Sequence, residues 1–127
     1  MDNMINIGIP SKGRLRKDVL KIFKKKKLNL ISERGERDLI GSIKSETNIK
    51  ILYLHAREII ERLGDNSLDI GFSGFDLYKE SEINIQKKIN VNKKLSFLFH
   101  FFLNFSLMKK YMLESLKFLH LLKLSNY

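Results

Sequence analysis

Strand-like and helix-like stretches alternate over the first three-quarters of this 127-residue sequence, and that alternation predicts an α/β fold with a mostly parallel sheet. Two further observations support it. Pro10, Gly13, Gly64 and Gly74 stand where one kind of stretch gives way to the next. Hydrophobic residues make up 43% of the chain, enough to build a buried core.

The elements follow in chain order. Ile5 to Pro10 (INIGIP) is apolar, rich in β-branched residues and ended by Pro10. Leu15, Val19, Leu20 and Phe23 then recur at helical spacing, with Arg16, Lys17, Lys21 and Lys24 on the solvent side. Leu28 to Ile31 and Asp38 to Ile43 suit short strands, and Ile49 to Leu54 (IKILYL) is a stronger one. Ala56 to Leu63 reads as a helix with Ile59, Ile60 and Leu63 inward and Gly64 as its stop. Leu68 to Ser73 (LDIGFS) is a strand and Asp76 to Glu82 a short helix.

The length suits one modest domain. The absence of cysteine excludes a disulfide framework, a thiolate zinc site and a cysteine nucleophile. A net charge of +10 draws polyanions, whether nucleic acid, anionic lipid or phosphorylated small molecules. Met1 to Pro10 carries Asp2 and no basic cluster, so it does not read as a signal peptide, and a cytoplasmic soluble protein is expected.

Two turns have the chemistry to hold phosphates. Ser11-Lys12-Gly13-Arg14 joins a strand to a helix. Gly13 lets an anion approach the backbone, the helix start offers free N–H groups and the positive end of the dipole, and Lys12 and Arg14 add full charges. Charge-assisted hydrogen bonds of this kind contribute roughly 1.5–3 kcal/mol each. The alternative is a basic turn facing water. Ser73-Gly74-Phe75-Asp76 also follows a strand and precedes a helix. Parallel strands place both turns at the carboxyl edge of the sheet, where open α/β folds bind ligands. There Ser73 and the Gly74 amide suit a phosphate or a base edge, and Asp76 suits a hydroxyl or amine. The alternative is a simple turn with Asp76 as a helix N-terminal acid. Lys24 to Lys27 fits a solvated, dipole-favoured helix end. Arg34, Arg37 and Arg57 are isolated, His55, His100 and His120 lack metal-ligand spacing, and there is no Walker loop or dinucleotide fingerprint.

Taken together, IGIPSKGRL (7–15), SERGERDLIGSIK (32–44), YLHAREIIERLGDNSLDIGFSGFDLYKES (53–81) and KKLSF (93–97) resemble the ATP phosphoribosyltransferases of histidine biosynthesis, in particular the short-form members. SKGRL followed at this distance by DIGFSGFDL is the specific part of the match. The resemblance implies the first lobe of a periplasmic-binding-protein-like type II fold. It implies a reaction that joins N1 of ATP to C1 of phosphoribosyl pyrophosphate and releases pyrophosphate, with rate supplied by positioning and electrostatics. Carried over, Lys12, Gly13 and Arg14 contact substrate phosphates, Arg37 and Arg57 are further cleft cations, and Ser73, Gly74 and Asp76 line the nucleotide side. Mg2+ arrives with phosphoribosyl pyrophosphate. A regulatory subunit resembling histidyl-tRNA synthetase is the implied partner, in a hetero-oligomer.

The match stops near Leu95, so residues 1–95 read as an incomplete first lobe and 96–127 as a separate, apolar and basic tail of helical character. All seven glycines, the only proline and thirteen of the 14 acidic residues precede Lys93, while six of the nine phenylalanines follow it. The acidic strand and Thr-Gly-x-Thr loop of the family's second lobe have no counterpart here. The tail has three readings: an out-of-frame translation, the favoured one, whose Phe, Leu, Lys, Asn and Ser suit A/T-rich DNA; a membrane- or partner-binding helix; or a helix packed on the sheet. The uncharged run Leu95 to Met108 is shorter than the ~20 residues that span a bilayer, so a membrane is not expected. On this reading the chain is truncated and inactive alone. The competing functions are a non-catalytic anion- or nucleic-acid-binding protein and a membrane-associated one. The basic residues scatter over several elements, so nucleic acid is not the expected partner.

Overall fold

The computed structural model describes residues 4–31, 39–44, 46–94 and 100–104. Its elements are, in order, β1 (Ile5–Pro10), α1 (Gly13–Lys25), β2 (Leu30–Ile31), β3 (Ile40–Ile43), β4 (Glu46–Leu54), α2 (Ala56–Gly64), β5 (Ile70–Ser73), α3 (Phe75–Glu80), α4 (Ile83–Gln86), β6 (Ile89–Lys94) and β7 (His100–Asn104).

The strands form one seven-stranded sheet in the order β2-β3-β4-β1-β5-β7-β6. Its centre is parallel: β1 lies between β4 and β5 and runs with both. Ile7 pairs with Ile51 on one side and Ile70 on the other. The outer strands are antiparallel, β2 on β3, β3 on β4, β5 on β7 and β6 on β7. The fold is therefore mixed rather than mostly parallel. The cause is loop length. Ile43 and Glu46 face each other across two intervening residues, and a link that short closes only an antiparallel pair; parallel strands need a crossover of a dozen residues or more.

Period-two alternation sorts the two faces. Ile5, Ile7 and Ile9 of β1, Ile49, Ile51 and Tyr53 of β4, and Ile70 and Phe72 of β5 form one buried cluster with Val19 and Phe23 of α1. Phe23 meets Phe72 edge-on at 5.7 Å, a favourable aromatic geometry. The opposite cluster holds Ile59, Ile60 and Leu63 of α2 with Leu68, Ile89 and Phe102. On this face β1 and β5 present Gly8 and Gly71, and α2 packs directly over them.

Helix α1 ends in the lysine run as expected, and the end of α2 differs in detail. Helix α1 closes with Lys27 in the left-handed region (φ 61°), and the Leu28 N–H bonds to the Phe23 carbonyl at 2.8 Å. Gly64 is the last residue of α2 and not a left-handed stop. It is buried, and an added Cβ would lie 2.7 Å from Ile85 of α4. The left-handed residue after α2 is Asn66, at φ 70°.

The tail is the larger correction. His100–Asn104 is a strand, not a helix, and it inserts between β5 and β6. Phe102 is wholly buried, with its ring 5.5 Å from that of Tyr78. Strands β6 and β7, one before and one after residue 95, pair with each other. Residues 105–127 lie outside the described residues, as do Arg34, Arg37 and most of the SERGERDL segment. Among the described residues no helix is long and apolar enough to cross a membrane.

Candidate functional site

Strands β1, β4 and β5 point their carboxyl ends to one edge of the sheet, and each runs straight into a helix: α1, α2 and α3. The first two turns are tied together, since the Ser11 N–H donates to the Leu54 carbonyl at 2.8 Å. Sequence predicted two of these turns as sites. The third, Leu54-His55-Ala56-Arg57, contributes Arg57 through the same topology.

At the first turn Lys12 is extended and caps α1 without a side-chain hydrogen bond, and the first turn of α1 carries no acid. The helix N–H groups and dipole are therefore not offset by a carboxylate in the first turn of their own helix. Gly13 has φ +86°, a value that suits glycine, and the space beside its Cα is open. Lys12, Gly13 and Arg14 are all exposed. This is a strongly positive loop, able to meet an anion with backbone donors and two cations.

Arg57 sits in the first turn of α2. Its Nη2 lies 3.4 Å from Glu80 Oε1, and both side chains are 61% exposed. A long, solvated pair of this kind contributes about 0–1 kcal/mol, so it holds Arg57 weakly. Glu58 is engaged separately, accepting from Arg62 at 2.9 Å.

The β5–α3 turn divides. Gly74 and Asp76 are accessible, Asp76 on the first turn of α3. Ser73 is not: it is fully buried, and its hydroxyl donates to the Ala56 carbonyl at 2.8 Å. That bond joins the end of β5 to the start of α2, one residue before Arg57. The geometry gives Ser73 a tie between elements, where the sequence suggested contact with substrate.

One residue escaped the sequence reading. Arg16 was placed on the solvent face of α1, yet its guanidinium carbon lies 4.5 Å above the Tyr53 ring. Among the described residues no group of His, Asp or Glu side chains gathers as a metal set.

No family model matches the sequence. Similarity to individual proteins is clear. The chain is 34% identical over 97 residues to the ATP phosphoribosyltransferase of Nitrobacter winogradskyi, covering 76% of this chain and 30% of that protein. It is 32% identical over 94 residues to the enzyme of the same name from Agrobacterium fabrum, covering 74% and 41%. The Nitrobacter hamburgensis protein gives 35% over 91 residues, covering 72% and 28%. The chain is a partial homologue of the ATP phosphoribosyltransferases.

The match spans less than half the length of each of these relatives. A solved chain of the ATP phosphoribosyl transferase (HisG:HisZ) complex from Thermotoga maritima is also similar, with a TM-score of 0.48 and 26% identity over 62% of this chain and 37% of that one. Homology to ATP phosphoribosyltransferases sits with the edge described above. Of the eight residues that the family resemblance singled out, the sheet brings Lys12, Gly13, Arg14, Arg57, Ser73, Gly74 and Asp76 to one edge, and Arg37 lies outside the described residues.

Proposed function

We propose that this chain is the polyphosphate-binding part of an ATP phosphoribosyltransferase and makes up most of the first lobe of a periplasmic-binding-protein-like type II fold. The observation that carries the reading is the convergence of Lys12, Gly13, Arg14 and Arg57 at the carboxyl edge of three parallel strands, in a chain homologous to these enzymes.

The substrates are ATP and phosphoribosyl pyrophosphate, and the reaction joins N1 of the adenine to C1 of the ribose with loss of pyrophosphate. It opens histidine biosynthesis, in the cytoplasm. Bond making and breaking at C1 need no protein nucleophile. What they need is two polyanions held together against their mutual repulsion. Lys12, Arg14 and the Gly13 backbone hold phosphate oxygens. Arg57, freed from its weak pair with Glu80, is a further cation facing the cleft. The Gly74 amide and Asp76 face the nucleotide. Mg2+ enters on the diphosphate of phosphoribosyl pyrophosphate and neutralises part of its charge. A subunit resembling histidyl-tRNA synthetase is the partner in the complete assembly, following the short-form members that the sequence resembles.

The chain matches less than half the length of these enzymes, and binding at this edge is the part of the reaction assigned to it here. The test is pyrophosphate release from ATP and phosphoribosyl pyrophosphate by the purified 127-residue chain. The reading predicts none, with ATP binding retained. Turnover by this chain alone would show that the first lobe suffices and would overturn the partial-lobe assignment.

A further inference from the structure

We propose that Arg16 is an additional oxyanion-binding residue of this edge, held in place by stacking on Tyr53. The inference rests on the reading of the Lys12–Arg14 turn as a polyphosphate site and adds a residue that neither the family motifs nor the sequence pattern pointed to.

Arg16 lies three residues after Gly13, on the same face of α1 and in its first turn. Tyr53 is next to last in β4, the strand whose final carbonyl, that of Leu54, accepts from Ser11. The pair therefore stands beside the turn. The guanidinium carbon is 4.5 Å from the ring centroid, inside the range of a cation–π contact. The ring offers no hydrogen-bond acceptor in its plane, so this contact leaves the guanidinium N–H donors for another acceptor.

Among the described residues that acceptor is missing: Nη1 of Arg16 is out of solvent with no hydrogen-bond partner there, and no described carboxylate pairs with the side chain. A charged donor withheld from water costs free energy until an acceptor meets it. A phosphate oxygen is such an acceptor, and the guanidinium fork matches it in two directions at once. The ring contact also fixes the side chain before binding, so less conformational freedom is lost when the anion arrives.

The experiment is calorimetric titration of inorganic pyrophosphate into the 127-residue chain and into Arg16→Met, Arg16→Lys, Tyr53→Leu and the Lys12→Ala/Arg14→Ala double variant, with the ligand-free melting temperature of each. The proposal predicts binding weaker by about tenfold or more for Arg16→Met, as expected for one lost charge-assisted contact. It also predicts partial recovery in Arg16→Lys, weaker binding in Tyr53→Leu, and a ligand-induced rise in melting temperature that shrinks in the same order. Should Arg16→Met fail to fold, Arg16→Lys decides: it keeps the charge and loses the fork, and binding equal to that of the unmodified chain overturns the proposal. Wild-type affinity in Arg16→Met alongside lost affinity in the double variant overturns the role of Arg16 and leaves the turn as the site. No pyrophosphate binding by the unmodified chain overturns both.

Discussion

Gly8 lies opposite Gly71 in the register of β1 and β5, and Ile59 of α2 packs over both. A Cβ on Gly71 would stand 2.5 Å from Ile59 Cγ2, and one on Gly8 would stand 2.6 Å from Leu68 Cδ1. The two bare backbones form a shallow seat that lets α2 lie close to the sheet. The start of α2, with Arg57, is thereby brought to the same edge as the Lys12–Arg14 turn.

Gly71→Ala is accordingly expected to cost about 1–3 kcal/mol, the usual range for overpacking a core. Urea unfolding checks the value. The cost should fall in an Ile59→Ala background, where the clashing methyl is gone, and an additive double variant would show that the contact is not its source.

Ser73→Ala separates a structural tie from a substrate contact. Loss of the bond to the Ala56 carbonyl should lower stability by about 0.5–1.5 kcal/mol. Pyrophosphate affinity at saturating folded fraction should change little, because the hydroxyl is buried and already donating. A large loss of affinity with unchanged stability would return Ser73 to the ligand.

Asp69 predicts a pH dependence. Burial pushes its carboxyl above the ordinary 3.8, and the Asn6 N–H, 2.8 Å from Oδ2, opposes that rise. Its Oδ1 is buried without a partner. A carboxyl with a higher pKa folded than unfolded keeps its proton in the fold over a window where the unfolded chain has lost it. Its contribution to stability is full below the unfolded value and is lost as pH rises through the folded one. Asp69→Asn stays neutral, so its melting temperature relative to the unmodified chain should climb as pH rises from below the ordinary carboxylate value through the raised one. A flat difference would mean that Asp69 ionises as freely in the fold as out of it.

Lys27 closes α1 in a conformation that suits glycine. Lys27→Gly should raise stability by roughly 0.5–1 kcal/mol in thermal unfolding, since the side chain is exposed and only the backbone preference changes.

The sequence was legible where a periodic signal and a turn signal coincided. INIGIP followed by SKGRL located β1, the turn and α1 within two residues, and LDIGFS followed by GFD did the same for β5 and α3. Helix α2 was found from Ile59, Ile60 and Leu63 alone. Strand direction was less legible, because it depends on loop length at Ile43–Glu46 rather than on composition. Strand β7 was missed for a different reason. HFFLN is a short apolar run without alternation, and such a run reads equally as buried helix or buried strand until a neighbour's hydrogen bonds decide it.

At the candidate site, the conformation of the Lys12–Arg14 turn was legible because its features are local: a glycine with positive φ, two cations and a helix start. The contacts of Arg16 and Ser73 were not legible, because they are made with partners far along the chain, Tyr53 and Ala56. Nothing in the amphipathic pattern of α1 distinguishes an arginine in water from one lying on a ring in the next layer.

The central claim is that the Lys12–Arg14 turn binds a polyphosphate. Equilibrium titration of ATP into the unmodified chain and into Lys12→Ala/Arg14→Ala tests it most directly. The account predicts saturable, salt-sensitive binding that the double variant weakens by at least about tenfold, as loss of two charge-assisted contacts requires, while its melting temperature holds. Equal affinity in the two proteins would contradict it.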